Sequence, residues 1–427
     1  MGCGKTITTI AVIGRAFLNG KTKRVLIIAP KSIVMVWQQE FEKFADFPFT
    51  LTVLEGSSEK KKQQLKGIRG EGLQVAVMNY DSVQLIEEDL VRWKPDFIVA
   101  DESTRIKNPN AKTSKAVHRI SKGCRYRMIL TGSPITQNPL DLYSQYKMLD
   151  EGIFGKSFYA FKNYYAVLGT YNQPIGYKNM PELISKAHSI AYRVTKVDAL
   201  DLPDTIDELR PVILEEKAQK LYRQFVKDSY MELSKGEVIA TNVLTRLLRL
   251  QQLTGGFIRP DEEADRYERV SKAKLEALED VLDEVIETGQ KVVVMARFIP
   301  EIMEIQKLLD KKGIGHALIH GGVKDRAEEV RKFQEDSNCM VFIGQIQTTS
   351  MGITLTAAST MVFYSLSYNY ADYIQAKARI HRIGQKNKCV YIHLIAQNTI
   401  DSEVMSALEQ KQDIATAIVD NWRNIIK

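Results

Sequence analysis

The first residues of the chain have the types and the order of a phosphate-binding loop. Gly2, Gly4, Lys5 and Thr6 match the second half of the pattern G-x-x-x-x-G-K-[ST], whose first glycine would lie before residue 1. In such a loop, backbone N–H groups at a helix N-terminus surround phosphate, the lysine reaches the β- and γ-phosphates, and the hydroxyl is a ligand of Mg²⁺. We therefore expect Gly2, Gly4, Lys5 and Thr6 to bind nucleotide phosphates and Thr6 to hold magnesium.

The same six residues fit two other interpretations. They match the N-myristoylation pattern M-G-x-x-x-[ST], and a glycine-lysine turn can arise by chance. If the phosphate loop is correct, the strand before it and the first half of the loop are missing. We then expect the intact product to start upstream and Met1 to be an internal codon.

A second cluster of chemical groups follows an apolar run. Residues 97–100 read Phe-Ile-Val-Ala and end at Asp101 and Glu102, as expected of a strand that delivers two carboxylates to the edge of a sheet. Acidic pairs also cap strand ends without any catalytic role, but this pair follows Lys5 and Thr6 in the order that P-loop ATPases require. We expect Asp101 to hold magnesium and Glu102 to orient and deprotonate the attacking water.

A third cluster lies near the end of the chain, in the string QAKARIHRIGQ at 375–385. Arg379 and Arg382 are three residues apart, so on one helix they would share a face and together neutralise phosphate charge. Pairing with surface carboxylates is the alternative. We assign both arginines to catalysis and Gln375 to nucleotide binding, and we expect a structural role for His381.

The elements that must position these residues form two α/β patterns. Short β-branched runs alternate with amphipathic helical stretches in each half of the chain, which is typical of parallel sheets covered by helices. The segments 216–234 and 243–253 are helical in pattern and have no strand between them. We expect an N-terminal lobe at 1–195, a mostly helical region at 196–270 and a C-terminal lobe at 271–427. The strands that we predict are 25–29, 74–78, 97–100, 127–130, 292–295, 317–319, 340–343, 360–364 and 390–394.

Composition narrows the class of protein. A chain of 427 residues with 44% hydrophobic and 26% charged residues is typical of a globular protein with more than one core. The four cysteines are widely spaced, which favours a reducing cytoplasm over a disulfide framework or a zinc site. No apolar run is long enough to span a bilayer, so we expect no membrane association.

Local charge is more informative than the net charge of +7. The stretch from 105 to 127 contains eight Lys or Arg and no acidic residue. Such a stripe can bind phosphate backbones or can simply be a solvated face, and the sequence does not separate the two. The run Glu59-Lys60-Lys61-Lys62 has helical spacing and an acidic neighbour, which favours a solvated face.

Seven segments in a fixed order resemble the motifs of one family, the Swi/Snf branch of the superfamily-two helicases, especially its compact members. The resemblance covers nearly the whole chain. The segments are 2–6 (motif I), 29–40 (motif Ia), 101–108 (motif II), 130–138 (motif III), 293–298 (motif IV), 347–358 (motif V) and 375–385 (motif VI).

The resemblance implies two RecA-like lobes that use ATP and Mg²⁺ to step along DNA, expected to be double-stranded and bound without sequence specificity by a monomer. Lys31, Thr131, Ser133, Gly352 and Thr354 would then contact DNA or couple the two sites. Two alternatives stay open: a helicase that separates DNA or RNA strands, and a DNA-binding fragment that lacks ATPase activity because the first strand is missing.

One position departs from the family pattern. Thr104 stands in motif II where the family usually has histidine. A threonine hydroxyl can form hydrogen bonds but cannot be protonated, so we expect weaker coupling between the ATP and DNA sites.

Overall fold

The structure is a computed structural model that describes residues 3–194, 200–234, 240–258, 267–323, 325–349 and 353–419. The chain divides into two compact units. The first contains Met1–Ala199 and Lys411–Lys427, and the second contains Leu200–Gln410.

The first unit is built on a parallel sheet with the strand order β2-β3-β1-β4-β5. Every residue of β4 is buried, as are five of the six residues of β1, because these central strands are covered by helices on both faces. The strands are β1 (Arg24–Ala29), β2 (Phe49–Val53), β3 (Leu73–Asn79), β4 (Phe97–Asp101) and β5 (Tyr126–Leu130).

Helices connect these strands, and a short antiparallel hairpin of β6 (Ala166–Leu168) and β7 (Pro174–Tyr177) follows them. The α-helices of this unit are Lys5–Leu18, Val34–Phe44, Ser58–Gly67, Tyr80–Val83, Glu87–Trp93, Lys112–Lys122, Leu142–Leu149, Glu151–Phe154, Phe158–Tyr165 and Met180–His188. Single 3₁₀ turns are formed by Lys31–Ile33, Ser103–Ile106 and Pro139–Asp141.

The second unit has a six-stranded sheet with the order β12-β13-β11-β14-β15-β8, in which all neighbouring strands are parallel. Its strands are β8 (Thr205–Val212), β11 (Lys291–Ala296), β12 (Gly315–Ile319), β13 (Cys339–Gln345), β14 (Ala358–Phe363) and β15 (Cys389–Ala396). A separate antiparallel pair is formed by β9 (Phe257–Ile258) and β10 (Glu268–Arg269). The helices are Glu216–Ser234, Ala240–Thr254, Ala273–Glu287, Ile299–Lys312, Arg326–Glu335, Ile346–Thr349 and Tyr370–Ile380. The last helix, Ile400–Val419, begins in this unit, and its residues from Lys411 onward belong to the first unit.

The predicted fold class is confirmed, and each of the nine predicted strands overlaps an observed one. Of the strands in the two parallel sheets, β2 and β8 have no predicted counterpart, and neither have the strands of the short antiparallel pairs, β6, β7, β9 and β10. β8 reads TIDELRPV and lies at the edge of its sheet with most residues exposed or half-buried, so it lacks the continuous apolar run of a central strand. β8 and the helices Glu216–Ser234 and Ala240–Thr254 belong to the second compact unit. The division at residues 195 and 270 stays a prediction.

None of the helices in the described parts of the chain is long and apolar enough to cross a membrane. Within those same parts, no group of three or more His, Cys, Asp or Glu side chains is arranged to hold a metal.

Candidate nucleotide site and the loops beside it

The first helix begins at Lys5, directly after a glycine in a left-handed conformation. Gly4 has φ 74°, which a residue with a Cβ rarely adopts, and its carbonyl oxygen accepts the first helical hydrogen bond from the Thr8 N–H at 3.0 Å. Among the residues that the structure describes, no side chain caps this helix, and its first turn has no acidic residue. Its first N–H groups therefore suit an anion. Lys5 and Thr6 are both half-buried in that turn, whereas Met1 and Gly2 lie outside the described residues.

Asp101 is the last residue of β4 and is 6% exposed. Its Oδ2 accepts a hydrogen bond from the Trp37 indole N–H at 3.0 Å, and its Oδ1 accepts one from the Glu102 backbone N–H at 3.0 Å. Burial raises the pKa of Asp101 to about 6, and the Glu102 carboxylate adds to the rise, whereas the Lys5 ammonium and the Trp37 hydrogen bond oppose it. The Lys5 ammonium therefore favours the charged form of this carboxylate.

Glu102 leaves the strand through an unusual backbone conformation. Its φ of 51° is left-handed, which costs a non-glycine residue roughly 1 kcal/mol or more. The next residue, Ser103, is fully buried and begins a 3₁₀ turn. The sharp turn separates the half-buried Glu102 side chain from the buried Asp101 carboxylate.

The predicted DNA-contacting residues of the first unit lie at the same edge of the sheet. Lys31 is exposed and starts a 3₁₀ turn two residues after the end of β1, and Thr131 directly follows β5. The Thr131 hydroxyl accepts a hydrogen bond from the Ser133 N–H at 3.1 Å, so the two residues form a local turn. Because β1, β4 and β5 are adjacent and parallel, their carboxyl ends bring these residues to the edge that carries Asp101.

The basic stripe from 105 to 127 uses much of its charge within the first unit. The Arg119 guanidinium pairs with the Glu87 carboxylate, and Lys122 pairs with Glu151 at 3.3 Å. Arg127 donates to two backbone carbonyl oxygens, those of Cys124 and Leu149. The stripe is therefore in large part a set of structural contacts. In the run at 59–62, Glu59 and Lys60 are exposed and the Lys62 ammonium pairs with Glu59 at 2.7 Å. Lys61 is buried and donates to the Gly56 carbonyl oxygen at 2.6 Å, so only part of the run is a solvated helical face.

In the second unit, Arg379 and Arg382 converge on one backbone oxygen. Each guanidinium donates to the Ile353 carbonyl oxygen at 3.1 Å, and Arg379 also donates to the Gln375 carbonyl oxygen at 3.0 Å. The expectation that a shared helix face aligns the arginines is wrong, because the helix ends at Ile380 and Arg382 lies beyond it. The shared carbonyl aligns them instead. Burial lowers the pKa of Arg382.

Other predicted residues of this unit surround the same loop. Thr354 and Gln375 are half-buried, and Gly352 lies outside the described residues. The buried Gln385 side chain, at the end of the predicted string, donates to the carbonyl oxygens of Ala358 at 2.8 Å and Ile380 at 3.2 Å. Its Oε1 accepts from two backbone N–H groups, so Gln385 has a structural role.

His381 also has a structural contact, as expected. Its Nε2 lies 2.9 Å from the Pro203 carbonyl oxygen, which can only accept, so this nitrogen carries the proton.

Two residues that the sequence did not assign to the site contact its core. Trp37 donates a hydrogen bond to Asp101. The one sequence feature that could have indicated this role is its position in the segment 29–40, which resembles motif Ia. Gln145 is fully buried and binds Ser103, and its signal was a polar residue among the apolar positions of the helix Leu142–Leu149.

The donor set of the first unit fits a nucleotide with magnesium. An uncapped helix N-terminus and the Lys5 ammonium suit phosphate oxygens, and the Thr6 hydroxyl and the Asp101 carboxylate are hard oxygen ligands of the kind that Mg²⁺ prefers. Together with the second parallel α/β unit and its converging arginines, this site defines the class of helicase-type P-loop proteins with two RecA-like lobes.

Comparison with known proteins identifies the family. The model of the SNF2-related domain matches residues 1–255, and that of the helicase conserved C-terminal domain matches residues 273–384. The chain belongs to the Swi/Snf family of superfamily-two helicases and translocases.

The curated relatives are longer than this chain. An uncharacterised ATP-dependent helicase of Mycoplasma genitalium is 28% identical over 419 residues, which cover 97% of this chain and 39% of the relative. A chromodomain-helicase-DNA-binding protein 1-like of Danio rerio is 23% identical over 441 residues, covering 99% and 42% respectively. The chain therefore spans about two fifths of the length of these relatives. Among solved structures, the Sulfolobus solfataricus SWI2/SNF2 ATPase core in complex with dsDNA matches with a TM-score of 0.42 and 25% identity, over 100% of this chain and 89% of that chain.

Proposed function

We propose that this chain hydrolyses ATP with Mg²⁺ and uses the energy to move along or remodel double-stranded DNA without sequence specificity. The observation that carries this proposal is the position of Lys5, at an uncapped helix N-terminus, where its charge acts on the buried Asp101 at the carboxyl end of β4. A phosphate-binding helix start and a buried carboxylate at one sheet edge are the two parts that P-loop ATPases require. Bound Mg²⁺·ATP supplies the phosphoanhydride whose hydrolysis releases the energy.

The candidate site residues of the first unit each have a role in this proposal. Gly4 and Lys5 bind phosphate oxygens, and Thr6 and Asp101 hold magnesium. Glu102 orients water and accepts its proton.

The second unit contributes the arginine pair and DNA contacts. Arg379 and Arg382 exchange their carbonyl partner for phosphate oxygens when the nucleotide is bound, and Gln375 contacts the nucleotide. Thr354, together with Lys31, Thr131 and Ser133 of the first unit, contacts the DNA backbone, which allows stepping without base readout.

We also propose that the chain acts as a monomer in replication, repair or recombination, in the cytoplasm of a bacterium or of a phage-infected host, or in the nucleus if the protein is eukaryotic. The wide spacing of the four cysteines along the chain suits a reducing compartment.

The test uses the purified chain with and without duplex DNA. We expect ATP hydrolysis that duplex DNA stimulates, and displacement of a third strand from a DNA triplex without separation of the underlying duplex. Lys5→Ala and Glu102→Gln should each lower the hydrolysis rate by about 100-fold or more. Lys60→Ala, which removes an exposed lysine of the helix Ser58–Gly67, is the matched control and should leave the rate unchanged.

The alternatives give different results. Separation of duplex strands by the unaltered chain would show a strand-separating helicase. DNA binding without ATP binding or hydrolysis would show a DNA-binding fragment and would refute the proposal.

A further inference from the structure

Two loops leave adjacent strands at the sheet edge that carries the candidate site. The carboxylate loop, residues 102–108, follows β4, and the β5 loop, residues 131–138, follows β5. The carboxylate loop contains Glu102, and the β5 loop contains Thr131 and Ser133. β4 and β5 are paired up to their last residues, where Asp101 lies opposite Leu130.

The buried Gln145 side chain joins these two loops. Gln145, on the helix Leu142–Leu149, has no exposed surface, and neither has Ser103. The Ser103 hydroxyl donates to Gln145 Oε1 at 2.7 Å. Gln145 Nε2 donates to the Pro134 carbonyl oxygen at 2.7 Å and to the Asp141 carbonyl oxygen at 2.8 Å.

The hydrogen-bond partners determine the orientation of the Gln145 amide. The carbonyl oxygens of Pro134 and Asp141 can only accept, so the amide nitrogen must face them. The amide oxygen then faces Ser103, whose hydroxyl must donate. A flip of the amide would lose the two bonds to the Pro134 and Asp141 carbonyl oxygens in a buried site, so a movement at Pro134 is opposed or followed by Ser103.

A second bridge runs parallel to the first. Asp141, one helical turn before Gln145, accepts at Oδ2 from the Thr136 hydroxyl at 2.8 Å and from the Thr136 and Gln137 backbone N–H groups at 2.9 Å and 2.8 Å. Thr136 in turn accepts from the Lys107 ammonium at 2.5 Å. The start of this helix therefore holds both loops, and Gln145 makes its contact directly beside Glu102.

We propose that Gln145 is a positioning residue that couples the β5 loop to the carboxylate loop through the buried Ser103–Gln145–Pro134 hydrogen bonds. This rests on the proposed function, because the coupling links DNA at the β5 loop to hydrolysis at Glu102. Ser103 is adjacent to Glu102, whose left-handed backbone cannot relax while Ser103 is held. When DNA moves the β5 loop, Gln145 passes the movement to Ser103 and thereby changes where the Glu102 carboxylate lies.

The first experiment measures ATP hydrolysis with and without duplex DNA for Gln145→Leu, for Ser103→Ala and for the double variant. We expect each single variant to lower the stimulation by DNA by at least about fivefold, with the unstimulated rate within about twofold of the unaltered chain. Ser103→Ala leaves the Gln145 amide oxygen without its donor, and Gln145→Leu leaves three polar partners unsatisfied, so both changes lower the melting temperature. The double change removes both partners of the Ser103–Gln145 bond and recovers part of the stability that Gln145→Leu loses.

The double variant separates coupling from stability. If Gln145 only stabilises the fold, DNA stimulation returns with the melting temperature, and that result would overturn the proposal. If Gln145 couples the loops, stimulation stays low although stability recovers.

The second experiment needs neither ATP nor DNA. Ser103→Ala should speed amide hydrogen exchange across 131–137, a segment that its hydroxyl reaches only through Gln145 in the described contacts. Ser114→Ala is the matched control, because Ser114 is also fully buried in this unit and its hydroxyl has no hydrogen-bond partner among the described residues. Equal exchange in the two variants would overturn the coupling. A third outcome separates the two proposals. If exchange is faster only in Ser103→Ala but duplex DNA does not stimulate hydrolysis by the unaltered chain, the link between the loops is supported and the proposed function is refuted.

Discussion

Glu301 has one carboxylate oxygen with three hydrogen bonds and one with none among the described residues. The side chain is 1% exposed. Its Oε2 accepts from the Arg297 N–H at 3.2 Å, the Phe298 N–H at 3.0 Å and the Ser365 hydroxyl at 2.6 Å, whereas its Oε1 is buried without a partner. Burial raises the pKa of Glu301 to about 7 because the charged form is poorly solvated, and the hydrogen bonds and the nearby Lys274 only partly oppose this.

The pKa difference gives the sign and size of a pH effect on stability. The folded-state pKa of about 7 is higher than the value of 4.5 in an unstructured chain, so folding favours the protonated form. The contribution of Glu301 to stability is therefore complete below about pH 4.5 and is lost as the pH rises through about 7. At about 1.4 kcal/mol per pKa unit, the full loss is at most about 3 kcal/mol.

Glu301→Gln replaces the titrating group by a neutral amide of the same shape. We expect the stability of the variant, relative to the unaltered chain, to increase by about 3 kcal/mol between pH 4.5 and pH 8, because only the unaltered chain must bury a charge at high pH. The new amide N–H lacks a partner, which adds a cost that is independent of pH and leaves the slope unchanged.

Urea unfolding from pH 4.5 to pH 8, followed by hydrogen exchange in β11 and β14, measures the free energy of the second unit. Glu276→Gln, which removes an exposed glutamate from the neighbouring helix, is the control for the loss of one acidic side chain. A free-energy difference between Glu301→Gln and the unaltered chain that stays constant over this pH range would refute the reasoning.

Three further predictions follow from the site and from the second sheet. Trp37→Phe replaces the indole by a smaller phenyl ring and removes the N–H that binds Asp101. Because a hydrogen bond to a charged group contributes roughly 1.5–3 kcal/mol, the Mg²⁺ concentration for half-maximal hydrolysis should rise about tenfold, whereas Trp93→Phe, which makes the same change in size, should leave it unchanged. Burial lowers the pKa of His393 to about 4 from 6.5, so its stabilising contribution is present above pH 6.5 and is lost as the pH falls through about 4. In His393→Gln the free energy of unfolding should therefore depend less on pH between about 4 and 6.5, and an unchanged pH dependence would contradict this. Thr104→His should increase the stimulation of hydrolysis by DNA, and an unchanged ratio of stimulated to basal rates would count against weakened coupling.

The elements that carry the chemistry were predictable because their signals are local. β1, β4 and β11 each contain a continuous apolar run of four or more residues, and a run of that kind is typical of a strand that is buried on both faces of a parallel sheet. β8 could not be predicted in this way, because its alternating polar residues become a strand only by pairing with β15.

The residues of the candidate site also fall into two groups, those that local sequence patterns predict and those whose arrangement depends on distant parts of the chain. Gly4, Lys5, Asp101 and Glu102 follow from short patterns whose chemistry depends on residue type and on the end of a strand or the start of a helix. The convergence of Arg379 and Arg382 followed from a different cause than the pattern suggested, since a carbonyl oxygen from another part of the chain aligns them.

By itself the sequence determined the residue types, the order of the motifs and the parallel α/β class, because each depends on neighbours within a few positions along the chain. Only the tertiary structure decided that Trp37 holds Asp101 and that Gln145 joins Ser103 to Pro134. These contacts form between strands and helices that are distant in sequence, and the hydrogen bonds that a buried polar side chain must satisfy are known only when its neighbours in space are known.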